Sequence, residues 1–170
     1  MYFGGVTFMI SKSFGRLQLV PEPQGLRLVF TPVQEGEARP DSLGFIDILI
    51  PLDAVGGLWA TSRAFLYEFE SLDENIILTR DGEGESEGDE EQSDILIKLY
   101  RDKPAGDGGR LSGAENTWLR IVTGRTEEER RRIKLGARDL LCIDLACSAV
   151  MTIAAHKDLH NPVRLDQVSV

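Results

Sequence analysis

Apolar and polar residues alternate with a period of two through the first fifty positions, which predicts β-strands. Val6, Phe8 and Ile10 alternate up to a turn at Ser11–Gly15. Leu17 and Leu19 follow, then a second turn at Pro21-Glu-Pro-Gln-Gly25. Leu26, Leu28 and Phe30 form a third apolar face with Arg27, Val29 and Thr31 opposite. After a polar loop from Glu35 to Ser42, Phe45–Leu52 is a fourth strand with Ile46, Ile48 and Ile50 on one side. The period then changes. Leu52, Val55, Leu58, Trp59, Ser62, Phe65, Leu66 and Phe69 fall at helical spacing, with Asp53 as the expected cap. Gly56-Gly57 weakens a helix by about 1 kcal/mol per glycine, so a pair of short strands over 53–72 is the alternative.

The second half repeats the plan. Asn75–Thr79, Ile95–Tyr100 and Thr117–Val122 read as strands. Thr126-Glu-Glu-Glu129 reads as a capping box, and three acids suit the positive end of a helix dipole. A helix is expected over 126–157, with Asn161-Pro162 as the stop. From Thr126 to His156 it would span about 46 Å, against about 40 Å for a compact domain of this size. The helix therefore breaks, with Gly136 the candidate point, or projects onto a partner. Residues 140–155 are apolar nearly all round, apart from a strip of Asp144, Ser148 and Thr152. Such a helix is buried on most sides, which predicts a homodimer or higher oligomer through it. The expected class is α+β: a curved antiparallel sheet packed against helices, in the order ββββα-βββα.

At 170 residues and 42% hydrophobic, the chain reads as one soluble domain. No run reaches the roughly 18 consecutive apolar residues of a membrane helix, and the N-terminus lacks the basic start of a signal peptide. Two cysteines, Cys142 and Cys147, make no disulfide framework and point to a reducing cytoplasm. Few amides (3 Asn, 5 Gln) and 14 Arg against 5 Lys lean toward a thermophile.

Charge is divided unevenly. Residues 81–94 hold eight acids and no base, and account for almost all of the net −9. This run reads as a disordered, solvated loop; a sharper reading has it shield a basic face. Residues 98–138 carry eleven Lys/Arg against six acids. If the strands holding Lys98, Tyr100, Trp118 and Arg120 are neighbours, alternation puts all four on one face. Aromatics among cations on a sheet suit single-stranded nucleic acid, because rings stack on bases and cations meet phosphates. Arg101 in the following loop, with Lys103 and Arg110, would extend the track. The plainer reading packs Trp118 and Tyr100 under a helix with the cations at its rim. Arg130-Arg-Arg-Ile-Lys134 reads as the first turns of the last helix, pairing with Glu127–Glu129; a phosphate contact from Arg130 is the lesser reading.

Catalytic chemistry finds no support. There is no G-x-x-x-x-G-K-[ST] and no G-x-S-x-G. Cys142, Cys147, His156 and His160 are spaced C-x4-C-x8-H-x3-H, but cysteines five apart share no helical face, so no metal and no cofactor is expected. Asp144 is expected in the exposed strip or paired with an arginine.

The element order, the Trp118/Arg120 face and the apolar helix from Thr126 resemble small single-stranded nucleic-acid-binding proteins. The whirly-like family is similar in its strands-then-helix repeat, as are the ThermoDBP-related proteins of thermophilic archaea, which bind single-stranded DNA or RNA. The likeness spans most of the chain and rests on element order and composition. It implies a non-enzymatic binder in which Trp118 and Tyr100 stack on bases while Lys98, Arg101, Arg120 and Arg130 hold phosphates. A second likeness leads elsewhere. Ile50-Pro-Leu52, Asn75-Ile-Ile-Leu-Thr79 and Trp118-Leu-Arg-Ile-Val122 before Thr126-Glu-Glu-Glu129 look like a pleckstrin-homology-like interaction module. That is a seven-stranded barrel with a closing helix, and it needs 53–72 to be partly strand.

Overall fold

The computed structural model describes residues 5–33, 44–67, 74–80, 94–101, 117–123 and 130–160. Four strands open the chain: β1 (Phe8–Lys12), β2 (Gly15–Glu22), β3 (Gly25–Pro32) and β4 (Ile46–Pro51). They pair antiparallel in chain order, so each hairpin joins nearest neighbours. Helix α1 (Leu52–Leu66) follows directly. A second antiparallel sheet, again in chain order, holds β5 (Glu74–Arg80), β6 (Asp94–Arg101), β7 (Thr117–Thr123) and β8 (Arg130–Leu135). Helix α2 (Ala137–His160) closes the described chain. The class is α+β, with antiparallel sheets packed against helices and a C-terminal helix, as the periodicity predicts.

The inner faces are the apolar positions of the alternation. Leu17, Leu19, Leu28, Phe30, Ile48 and Ile50 of the first sheet join one buried cluster with Ile97, Leu99, Leu119, Ile121 and Ile133 of the second. Both helices enter the same cluster, through Val55, Leu58 and Phe65 of α1 and Leu140, Ile143, Cys147 and Val150 of α2. Helix α1 lies against β3, β4, β5 and β6, while α2 lies against β1, β2, β3, β8 and α1. The two sheets are thus held by shared helices.

Local chemistry sets the joints. At the β2–β3 turn, Gly25 has φ +156°, and a Cβ there would sit 2.0 Å from the Ile50 carbonyl oxygen. Only glycine lets β4 pass so close. The Gln24 carbonyl accepts the Leu52 N–H at 3.1 Å, satisfying one orphan donor of α1. Pro51 is the N-cap of α1; Asp53 lies in its first turn and accepts from the Ala54 N–H at 3.1 Å instead of capping. The Gly56-Gly57 pair does not break α1, because Val55 and Leu58 beside it are buried.

Three expectations change. Residues 130–135 are strand, not the first turns of the last helix, so the second half carries four strands before its helix. The chain alternates there, with Arg132 and Lys134 exposed and Ile133 and Leu135 buried, and pairing with β7 outweighs the helix propensity of Arg and Lys. The helix starts at Ala137, and the N–H of Gly136 just before it donates to Asp139 Oδ2 at 2.9 Å, a carboxylate reaching back from the third helical position. Thr126 and Glu129 lie outside the described residues, as does most of the 81–94 acidic run. Second, Leu52–Leu66 is helix, so the pair of short strands offered as the alternative does not form over 53–66, and 68–72 lie outside the described residues. Third, Ala137–His156 is long and apolar enough to cross a membrane by length and composition, with mean hydropathy 1.5 and a third of the span buried. Counting uninterrupted apolar residues misses this, since Asp144 splits the run. One face of this helix is committed to the core.

Candidate nucleic-acid interface

The outer face of the second sheet is built by cross-strand register. Lys98 on β6 stands opposite Arg120 on β7, and Tyr100 opposite Trp118. On the other side of β7, Trp118 pairs with Lys134, Arg120 with Arg132, and Val122 with Arg130 of β8. Directly opposed residues in an antiparallel pair share a face. Three rows therefore cross the sheet: Tyr100–Trp118–Lys134, Lys98–Arg120–Arg132, and Leu96–Val122–Arg130. Ile97, Leu99, Leu119, Ile121, Ile133 and Leu135 alternate with these positions and are buried, so Lys98, Tyr100, Trp118, Arg120, Arg132 and Lys134 lie on the face away from the core. Among the described residues, neither helix lies on the face that carries Trp118 and Tyr100. On β5 the same face receives Glu74, Ile76, Leu78 and Arg80 by register, and Asp94 opposes Arg80. Among the residues of this face whose side chains are described, Lys98, Arg120, Arg132 and Lys134 are cations and none is an acid.

Contacts within the face join rings to cations. The Arg132 guanidinium lies 4.3 Å from the Trp118 ring centroid and Lys134 Nζ lies 5.8 Å from it. Lys98 Nζ is 5.2 Å from the Tyr100 ring. Trp118 Nε1 is covered and has no hydrogen-bond partner in the structure. A hidden indole N–H without an acceptor is uncommon and marks a place where an incoming acceptor would be favourable.

Of the six residues the sequence singles out, Lys98, Tyr100, Trp118 and Arg120 come together as expected, and Arg130 joins them on β8 by register. Arg101 does not. It is the last residue of β6, one position beyond Tyr100, and alternation turns it inward. Its guanidinium lies 4.3 Å from the Phe65 ring of α1. Sequence reasoning misses Arg132 and Lys134, because a run of Arg and Lys after three acids reads as helix. The signal was present in the alternation Arg132-Ile-Lys-Leu135 ending at Gly136.

Away from this face, Asp144 is buried, not exposed. It accepts the Trp59 Nε1–H at 2.6 Å, and Arg63 Nε lies 3.4 Å from the same oxygen. Arg63 also sits 5.3 Å from the Trp59 ring. The arginine pairing is as expected; the cluster ties α1 to α2. Both thiols are free. Burial first, and the nearby Asp144 second, push the Cys147 thiol up to about 12. Among the described residues, no group of three or more His, Cys, Asp or Glu is placed to hold a metal ion. Compared with protein-family models, curated proteins and solved structures, the chain has no match.

Proposed function

We propose that this protein is a non-enzymatic binder of single-stranded DNA or RNA, and that the β6–β7–β8 face is its interface. The observation that carries this reading is the side-by-side pair Tyr100–Trp118 bordered by Lys98, Arg120, Arg130, Arg132 and Lys134. Two aromatic faces supply sequence-tolerant stacking, and five cations supply phosphate neutralisation. The strands-then-helix plan, carried twice, supports kinship with the whirly-like and ThermoDBP-related proteins. Free thiols support a reducing cytoplasm.

Labelled dT and U oligomers titrated by fluorescence anisotropy test the reading. Wild-type protein is expected to bind with quenching of Trp emission. Trp118→Ala should weaken binding by roughly ten- to a hundred-fold, from a stacking loss of about 1–3 kcal/mol. Arg16→Ala, on the outer face of the first sheet, should change it little. No binding in low salt at high micromolar protein discards the interface.

Self-association through α2 is part of the same proposal. Leu141 and Leu145 remain 42% and 46% exposed, and Met151 joins them. Leu141, Leu145, Ser148, Met151 and Thr152 carry no charge, so two copies of this stripe can meet without like-charge repulsion. A sedimentation measurement giving a monomer at tens of micromolar overturns it.

A further inference from the structure

Both aromatic rings of the proposed interface are already occupied. Arg132 covers Trp118 at 4.3 Å, and Lys98 lies over Tyr100 at 5.2 Å. A base cannot stack on the outer face of Trp118 while the guanidinium holds that place. We propose that Arg132 is a displaceable placeholder. In the free protein it covers Trp118; when a strand binds, a nucleobase takes the ring and the guanidinium swings to the phosphate backbone. This inference rests on the nucleic-acid reading above and names the residue that makes the site prefer a base-bearing polyanion over a plain one.

Register explains why Arg132 leans over. Its direct cross-strand partner is Arg120, and Arg120 is opposed on its other side by Lys98. Arg120 and Arg132, directly opposed guanidinium groups, repel each other. The ring of Trp118 lies on the diagonal, within reach of a long side chain, and offers an attraction of about 0.5–1 kcal/mol at an exposed site. A phosphate arriving on the row removes the repulsion that drives Arg132 aside. The base then gains the vacated ring. The covered Trp118 Nε1 N–H gains access to an acceptor it lacks in the free protein. Plain polyanions satisfy the first half of this exchange and not the second.

The test compares Arg132→Ala with wild type for two probes at fixed salt: an oligo-dT and an inorganic polyphosphate of equal charge. Removing Arg132 takes away one phosphate contact for both probes, but frees the ring only for the oligomer. The expected result is a several-fold loss for polyphosphate, a smaller loss or a gain for oligo-dT, and a red-shifted Trp emission in the free variant. The salt slope for both should fall by about 0.7. Equal losses for the two probes would reduce Arg132 to a phosphate contact and overturn the proposal. A larger loss for oligo-dT would also overturn it, since the base would then be stacking on the guanidinium. If wild-type protein binds polyphosphate as tightly as oligo-dT and Trp118→Ala affects neither, the nucleic-acid reading itself fails. Arg132 is exposed, so the variant should keep its fold; Arg132→Lys, which retains the charge, should lie between the two.

Discussion

The two sheets share a topology and an inner face, and differ on the outside. Both are four strands in chain order followed by a helix, and both bury Leu and Ile in one common cluster. On the outer face of the first sheet, charges cancel. Arg27 Nε donates to Glu22 at 2.5 Å and its Nη1 to Asp47 at 3.0 Å. The hydrogen bond that Arg27 donates to Glu22 first, then that to Asp47, raises the Arg27 guanidinium above its ordinary value. The other paired positions there include Met9, Gln18, Val29 and Thr31; an exposed aromatic, Phe45, lies just before β4 and outside the paired register. The second sheet carries two rings and a cation surplus in the equivalent place. The fold therefore does not require an aromatic or basic outer face, since the first sheet is built without one. What distinguishes the second face is its rings and cations, which under the proposed function meet the bases and phosphates of a polyanion.

The largest test exchanges the charge on each face. Arg120→Glu with Arg132→Glu should lower oligonucleotide affinity by more than about 100-fold at low salt, while Arg16→Glu should alter it by less than about threefold. With five cations engaged, the logarithm of wild-type affinity should fall with log salt at a slope near −3.5, from about −0.7 per contact. Equal losses from the two sheets would erase the distinction between them.

A second test asks whether the first sheet acts as scaffold alone. Gly25→Ala would press a Cβ against the Ile50 carbonyl, costing about 2 kcal/mol or more. Thermal unfolding should shift down by roughly 4–8 °C. Affinity per folded molecule should not change. A variant that stays stable but loses binding would place function on the first sheet as well.

The smallest effect concerns the core that the sheets share. The Cys147 thiol is pushed from 9.0 to about 12 because burial disfavours the thiolate. Between those values the folded state holds more protons than the unfolded one, so this contribution is complete below pH 9 and is lost as pH rises toward 12. Denaturation of wild type and Cys147→Ala from pH 8 to 10.5 should show the wild-type midpoint falling faster. Cys147 should resist thiol reagents in the folded protein, while the half-buried Cys142 reacts.

Period-two alternation was enough to locate seven strands, and helical spacing was enough for α1, because burial on one face is written into each segment separately. The pairing of Lys98, Tyr100, Trp118 and Arg120 on one face needed only the added premise that β6 and β7 are neighbours. Three features were decided by tertiary structure. Arg130–Leu135 is rich in helix formers, and only the free edge of β7 makes it a strand, because cross-strand hydrogen bonds and the burial of Ile133 and Leu135 outweigh local propensity. Arg101 left the expected track because β6 runs one residue further than its apolar pattern, and a single step in a strand reverses the face. Asp144 is buried against Trp59, 85 positions away in the chain. No local pattern encodes that partner, because it exists only once α1 and α2 pack together.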